Sequence, residues 1–592
     1  MKKLLLIFLS FFPCFFLIPE AKAISQFSSH YYITYQVFSN GITHVKFEIE
    51  QTNNLSQIYA TDYGLSLSQT QIDNITIKDI NTVIIPTITQ TQNLTNISFP
   101  FINKVVGKGK THRFTIEYDT QDIVIQKGST WEINIPQLES KQNITQQTIK
   151  LIVPSDFPNP AYINPSPNQI NDHTYIFTSH SLANQSISAL FGTTQYYRLR
   201  LYYNLENTSN TPLQQEIALP PDTGYQKVYI TDLSPPPLNI ITDQDGNWLA
   251  QYQLEPQSNL QVSFVAFVEL NFQPQTAITS PQTFHTQVQP VWDFDNSIFI
   301  QSNLINLTTP KSIYDYVTQS LTYNYHRLED DLTRPGASFA LQNPDQVICT
   351  EFTDLFIALA RQQQIPAREI QGFAVSQNDK LRPLSLSRDV LHAWPEYYNS
   401  QTQTWIQVDP TWTNTTNGID YFNKLDLNHI TFVIHGKNPN HPLPAGAYKT
   451  PQSDSKDIFV DATDPVEFPS AQIQAQIISR SSKNLVLEFK NLTGTSFNSD
   501  LSITSDLFKE SLQSHLYLPP FSSQQLSFEI PFHLPTFSSS ASEIIITSHD
   551  QVLTLVTNSS PKPSLPLILI PAFLFIALFT FFLYRFFKFR RR

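Results

Sequence analysis

Most of the chain alternates between apolar and polar positions. Ile33, Tyr35 and Val37 take turns with polar neighbours, Asn40-Gly41 follows, and Val45, Phe47 and Ile49 alternate again. Two period-two runs on either side of Asn-Gly predict a β-hairpin, because that dipeptide accepts the left-handed backbone of a tight turn. Similar runs follow at Phe114-Ile116-Tyr118, Ile123-Val124-Ile125, Trp131-Ile133-Ile135 and Ile149-Leu151-Val153, with no long 3.6-residue pattern between them. Residues 24–195 are therefore expected to form an all-β domain, a sandwich. A second β unit, 196–284, is expected where Tyr197, Leu199, Leu201 and Tyr203 alternate, with a hairpin at Asp245-Gly246 and an apolar run Val262–Phe267. The Gln-, Thr- and Pro-rich stretch Phe272–Thr283 reads as its connector.

Helical spacing first appears near the centre, in the unit expected over 285–450. Thr309-Pro310 offers a cap followed by proline at the first helical position, and Ile313, Tyr316, Val317 and Leu321 recur behind it. A second helix is predicted from Cys349, with Phe352, Leu355, Phe356 and Leu359 at i, i+3, i+4 and i+7 and Pro366 as its stop. Strand patterning returns at Ile370–Val375 and in a hairpin from His392 to Asp409. Beyond a polar stretch at 450–456, alternation at Ile473-Ala475-Ile477, Leu485-Leu487-Phe489 and Ile544–Leu555 predicts a further β-sandwich over 465–557.

The two ends change the picture. Lys2-Lys3, the apolar run Leu4–Ile18 and Ala21-Lys22-Ala23 have the three parts of a secretory signal over 1–23. Leu565–Tyr584 carries no charge over 20 residues, the length of a transmembrane helix, and 585–592 follows as a basic tail expected on the cytoplasmic side. The chain is thus expected to be a single-pass protein of the cell membrane with an extracellular N-terminal ectodomain. Without its basic ends the formal charge of −12 becomes 29 basic against 48 acidic side chains, so a nucleic-acid partner is excluded on electrostatic grounds. With 14 glycines, phosphate-cradling glycine loops are equally out of place. One of the two cysteines, Cys14, lies in the leader, which leaves Cys349 with no partner for an intramolecular disulfide.

A thiol at a helix start, an imidazole and a carboxylate occur in that order in Cys349, His392 and Asp409. Cysteine reacts as its thiolate, which the N–H groups of a helix N-terminus and a nearby imidazole both favour. If the hairpin turns at Ser400-Gln401, opposed positions sum to 801, and His392 faces Asp409 with Cβ atoms about 4.5–5.5 Å apart. A carboxylate there can orient the imidazole and stabilise its cation.

The run Cys349-x-Glu351-Phe352-x-x-Leu355-Phe356-x-Ala358-Leu359-Ala360-Arg361, then Ile365-Pro366-Ala367-Arg368, His392-Ala393-Trp394-x-Glu396 and Trp405-x-x-Val408-Asp409-Pro410-Thr411, resembles the transglutaminase-like superfamily of papain-type folds over about 300–425. The whole arrangement resembles membrane-anchored transglutaminase-like proteins of bacteria. The resemblance implies a helix under Cys349, a sheet bearing the other two, and the roles of nucleophile for Cys349, general base and acid for His392 and orienting residue for Asp409. Arg368, Trp394, Glu396, Trp405, Pro410 and Trp412 match pattern positions that are structural or cleft-lining, with Trp394 and Glu396 placed at the cleft. Many members have glycine two residues before the cysteine, where this chain has Val347; Gln346 and Asn343 are the candidate oxyanion donors. The fold class implied is multidomain and mainly β, with sandwich domains flanking a central α+β transglutaminase-like domain, plus one C-terminal transmembrane helix.

The chemistry expected is thiol-dependent acyl transfer on an extracellular protein or peptide amide, through a thioester resolved by water (protease or amidase) or by an amine (cross-linking). A catalytically inactive surface scaffold or adhesion protein is the rival, and it predicts an unreactive Cys349. No cofactor is expected: no EF-hand-like acidic loop suggests calcium, and His429, His435 and His441 read as loop histidines without metal-ligand spacing.

Overall fold

The computed structural model of the chain describes residues 25–590 apart from 69–70, 92–93, 139–143, 183–185, 276–278, 294–303, 330–333, 376–390, 417–418, 424, 449–455, 482, 532–540, 550 and 558–564, and apart from the side chains of 565–573 and 589. The expected signal peptide lies outside the described residues. The chain divides into two compact units, Met1–Gln126 with Trp131–Phe191, and Lys127–Thr130 with Gly192–Arg592.

In the first unit the Asn40-Gly41 hairpin forms as its alternation requires. Strands Phe27–Val37 and Thr43–Asn53 pair with Ile33 opposite Phe47, and Gly41 takes the positive φ of 81° at the turn. Ile33, Tyr35, Val45, Phe47, Ile116 and Ile133 are buried in one core. The neighbour of Phe27–Val37 on its other side, Ile144–Ile152, runs parallel to it, a long-range pairing that alternation alone does not reveal.

The second unit begins with a two-layered β structure. The long strand Thr194–Asn207 pairs with Ser258–Asn271 on one side and with Ile458–Thr463 on the other. A smaller sheet joins Leu213–Leu219, Trp248–Leu254 and Asn239–Thr242, the last two through the Asp245-Gly246 turn. Ile458–Thr463, outside every expected domain, thus supplies an edge strand after the chain has passed through the central region. Residues 473–556 form two further sheets around Leu487, Phe489, Leu501, Ile503 and Ile546.

Between these lies an α+β unit. Its helices are α1 (Pro310–Ser320), α2 (Ala337–Gln342), α3 (Cys349–Gln362) and α4 (Pro410–Thr415). Its strands are β1 (Ala367–Ala374), β2 (His392–Asn399), β3 (Thr404–Gln407) and β4 (His429–His435), in the antiparallel order β3-β2-β1-β4. Helix α1 starts as its sequence requires, with Thr309 Oγ1 accepting the Ser312 N–H at 3.1 Å. Helix α3 packs against β1 and β2 and is buried on all sides from Cys349 to Arg361. Its apolar stripe enters the core, and its charged side chains Asp354 and Arg361 find partners inside the protein. Trp292 Nε1 donates to Asp354 at 2.8 Å, and Arg361 donates to the carbonyls of Ala367, Gln287 and Gly436. That polar burial keeps the helix that carries the sulfur in one position, since each unpaired group would cost about 1–3 kcal/mol.

One expectation at the end of the chain changes. A helix runs over Leu565–Phe589, but among the described residues no helix is long and apolar enough to cross a membrane.

Candidate active site

The hairpin register differs from expectation. Glu396 opposes Gln407, Tyr397 opposes Ile406 and Asn399 opposes Thr404, so opposed positions sum to 803 rather than 801. The turn is wider than two residues because Asn399 Oδ1 accepts the N–H groups of Gln401 and Thr402, and Gln403 adopts a φ of 54°. A slip of two positions leaves every side chain on its original face, whereas a slip of one would have reversed them. Strand β3 nevertheless ends at Gln407, and Asp409 is the cap of α4, not a strand residue. Its Oδ1 accepts the Trp412 N–H at 2.9 Å, and Pro410 occupies the first helical position, a standard helix start.

The other carboxylate oxygen, Asp409 Oδ2, accepts from His392 Nε2 at 2.9 Å and from His429 Nε2 at 3.2 Å. His429 Nδ1 donates to Asp426 Oδ1 at 2.8 Å. Because Nε2 of His392 is committed to a carboxylate, which can only accept, the ring's Nδ1 is the nitrogen left for chemistry. Among the described residues it has no nitrogen or oxygen partner, and the Cys349 thiol acts on the same ring through both hydrogen bonding and charge. The structure thus brings Cys349, His392 and Asp409 together. All three are buried, so among the described residues no open cleft reaches the sulfur.

Burial opposes charge on His392, but the Asp409 carboxylate and then the Cys349 thiol outweigh it, and the ring's pKa is raised to about 9. Burial also opposes charge on His429; the Asp426 charge and the bonds to Asp409 and Asp426 prevail, again giving about 9. For Asp409, burial pushes the carboxyl up while His392 and His429 together hold it well below the usual range. The three side chains place ring nitrogens and a carboxylate oxygen within 4.8 Å of one another, a spacing that the two imidazole–carboxylate hydrogen bonds account for.

The remaining predicted residues separate. Trp394 and Trp412 stack on the His392 ring at 5.7 and 5.1 Å between centroids. Both are fully buried and hold the ring rather than line an open cleft. Glu396 is buried too, paired with Arg368, whose guanidinium lies 3.9 Å over the Trp405 ring; this cluster buttresses the sheet. Of the two candidate oxyanion donors, Asn343 caps α2 and gives its amide to the Phe339 carbonyl, and the exposed Gln346 offers its own carbonyl to Arg327. The pattern at 429–441 reads as a loop, but His429 opens β4 and His435 closes it, bonded to Glu369 and the Pro442 carbonyl. His429 and Asp426 are the site residues that the sequence alone does not disclose. The one available signal is an acid three residues before a histidine at the start of an apolar run.

Residues 300–410 match the family model of the transglutaminase-like superfamily. Among solved structures, the chain is similar to a candidate cysteine protease from Cytophaga hutchinsonii, at 18% identity over 47% of this chain and 94% of that one, with a TM-score of 0.30. It is similar to the periplasmic domain of TgpA from Pseudomonas aeruginosa bound to ethylmercury, at 15% identity over 37% and 91% of the two chains, TM-score 0.22. Red sea bream transglutaminase aligns at 11% identity over 60% and 81%, TM-score 0.18. No curated protein matches the chain.

Proposed function

With residues 300–410 a transglutaminase-like domain, we propose that the protein is a thiol-dependent acyl-transfer enzyme acting on protein or peptide amides. The observation that carries this reading is the division of labour on one ring: Asp409 holds His392 Nε2, and Nδ1 is left to Cys349. The thiolate of Cys349 attacks the amide carbon, and the C–N bond breaks as His392 Nδ1 gives its proton to the departing amine. The resulting thioester is attacked by water or by a second amine, which passes its proton back to Nδ1 while the C–S bond breaks. Hydrolysis requires no second substrate site, so protease or amidase activity is the simpler form; cross-linking uses the same residues. On the evidence of the leader at 1–23 and the apolar run at 565–584, the enzyme works outside the cell, held to the membrane by its C-terminal end.

Incubating the protein with a peptide library and a labelled primary amine tests this. Cleaved or amine-tagged peptides that vanish with Cys349→Ala are expected; products that survive the substitution would refute it. The burial of Cys349 favours a second reading, an inactive surface scaffold. Slow iodoacetamide labelling at neutral pH, indifferent to His392→Ala, would select the scaffold.

A further inference from the structure

We propose that His429 is a positioning residue for this reaction: a fixed imidazolium, clamped between Asp409 and Asp426, that limits how strongly Asp409 can hold the proton on His392. The proposal rests on the acyl-transfer reading above. Its basis is hydrogen-bond arithmetic. Nε2 of His429 lies 3.2 Å from one carboxylate and Nδ1 lies 2.8 Å from another, and all the participants are buried. Ionised carboxylates only accept, so both ring nitrogens must donate, and a ring that donates twice is a cation. The raised pKa of His429 agrees with this.

A bare Asp409 would be free to stabilise the His392 cation alone. Here the same oxygen also serves His429, whose ring centroid is 5.7 Å from that of His392. Repulsion between two imidazoliums at that distance opposes protonation of His392. The result is a ring able both to take the thiol proton and to release it to a leaving amine, where an unopposed carboxylate would make it a poorer acid. The charged and titratable groups facing His429 are His392 on β2, Asp409 at the cap of α4, and Asp426 and Tyr421 on the segment before β4. Lys127 also donates to Asn428, the preceding residue, at 2.9 Å.

Asp426→Asn removes the charge while keeping the bonding. The introduced amide can donate to Nδ1, and a neutral His429 can still donate Nε2–H to Asp409. The test is the pH dependence of Cys349 alkylation by iodoacetamide in the full-length chain, for wild type, Asp426→Asn, His429→Gln and His392→Ala, with melting curves to show that each variant is folded. Asp426→Asn is expected to move the alkaline inflection, which tracks loss of the His392 proton, upward by about one pH unit. His429→Gln, which also removes the cation, should move it in the same direction. Superimposable inflections in wild type and both folded variants, with labelling still dependent on His392, would overturn the role of His429 alone. Labelling indifferent to His392→Ala would overturn the enzymatic reading and this inference with it.

Discussion

Asp409 reaches His392 from a helix cap: Oδ2 lies 2.9 Å from His392 Nε2 while Oδ1 holds the Trp412 N–H at 2.9 Å. One carboxylate therefore starts α4 and orients the imidazole. The two duties can be separated by substitution. In Asp409→Asn the amide oxygen can still cap the helix, but the charge opposite two buried imidazoles is lost, so the variant should fold with a melting temperature lower by several degrees. The amide NH₂ then faces Nε2 and drives the ring proton to Nδ1, where it can no longer receive a proton from the thiol. Turnover in the peptide-library assay should fall by about 10³–10⁴. A folded Asp409→Asn variant with near wild-type turnover would show that the carboxylate does not orient the ring.

Stability should depend on pH through the same groups. His392 and His429 have pKa values raised from 6.5 to about 9 in the folded protein. A raised value means that the folded state binds the proton more tightly, so this stabilisation is full below about pH 6.5 and is lost as the pH rises through about 9. Asp409 is depressed below its ordinary 3.8, so its contribution is present above that value and disappears as the medium becomes more acid. Melting temperatures should therefore be highest between about pH 4 and 6.5 and decline toward pH 9. The decline should be shallower in His429→Gln, and equal slopes in the two proteins would contradict the assignment.

Gly372 sets how closely β4 approaches β1. It pairs with His392 on one side, and a Cβ added to it would stand 2.0 Å from the Ile430 carbonyl oxygen on the other. Backbone cannot yield by that much without moving the strand that carries His429. Gly372→Ala should cost about 1–3 kcal/mol, read as a lower melting temperature. Its residual activity should fall further than that of an equally destabilised variant in the 473–556 sheets.

Much of the fold is legible because local signals and tertiary burial agree. Thr309-Pro310 and the stripe Phe352/Leu355/Phe356/Leu359 each commit one element, and the structure contains both helices. Asn40-Gly41 works the same way for its hairpin. Illegible features are those decided by distant partners. The parallel pairing of Ile144–Ile152 and the insertion of Ile458–Thr463 beside Thr194–Asn207 leave no mark on local periodicity. At the site, residue type and spacing single out Cys349, His392 and Asp409, yet the hairpin register that first juxtaposes the last two is off by two. The two residues meet by another route than cross-strand pairing: Asp409 lies beyond the end of β3 and reaches His392 from the cap of α4. His429 escapes because its partner acid, Asp426, has no distinguishing neighbours until the strand folds over Asp409.

The start of α3 offers a control that separates support from chemistry. Ile348 has no capping side chain, and Glu351 supplies the cap instead, its Oε2 accepting the Ile348 N–H at 3.0 Å. Arg327 Nη1 lies 2.6 Å from the same oxygen and also donates to the Gln346 carbonyl at 3.1 Å. Arginine and glutamate together tie the chain on both sides of Cys349. In Glu351→Gln the amide oxygen can still accept from Ile348, but the charge opposite Arg327 is lost. Breaking a buried pair from one side costs about 3–5 kcal/mol, and the residual exposure of Arg327 should keep the loss near or below the lower end. The melting temperature should fall by several degrees. The His392 proton is governed chiefly by Asp409 and Cys349, so the alkaline inflection of Cys349 labelling should remain where it is in wild type. An inflection displaced by Glu351→Gln would mean that this carboxylate takes part in the proton balance of the site, and that the helix cap is not its whole role.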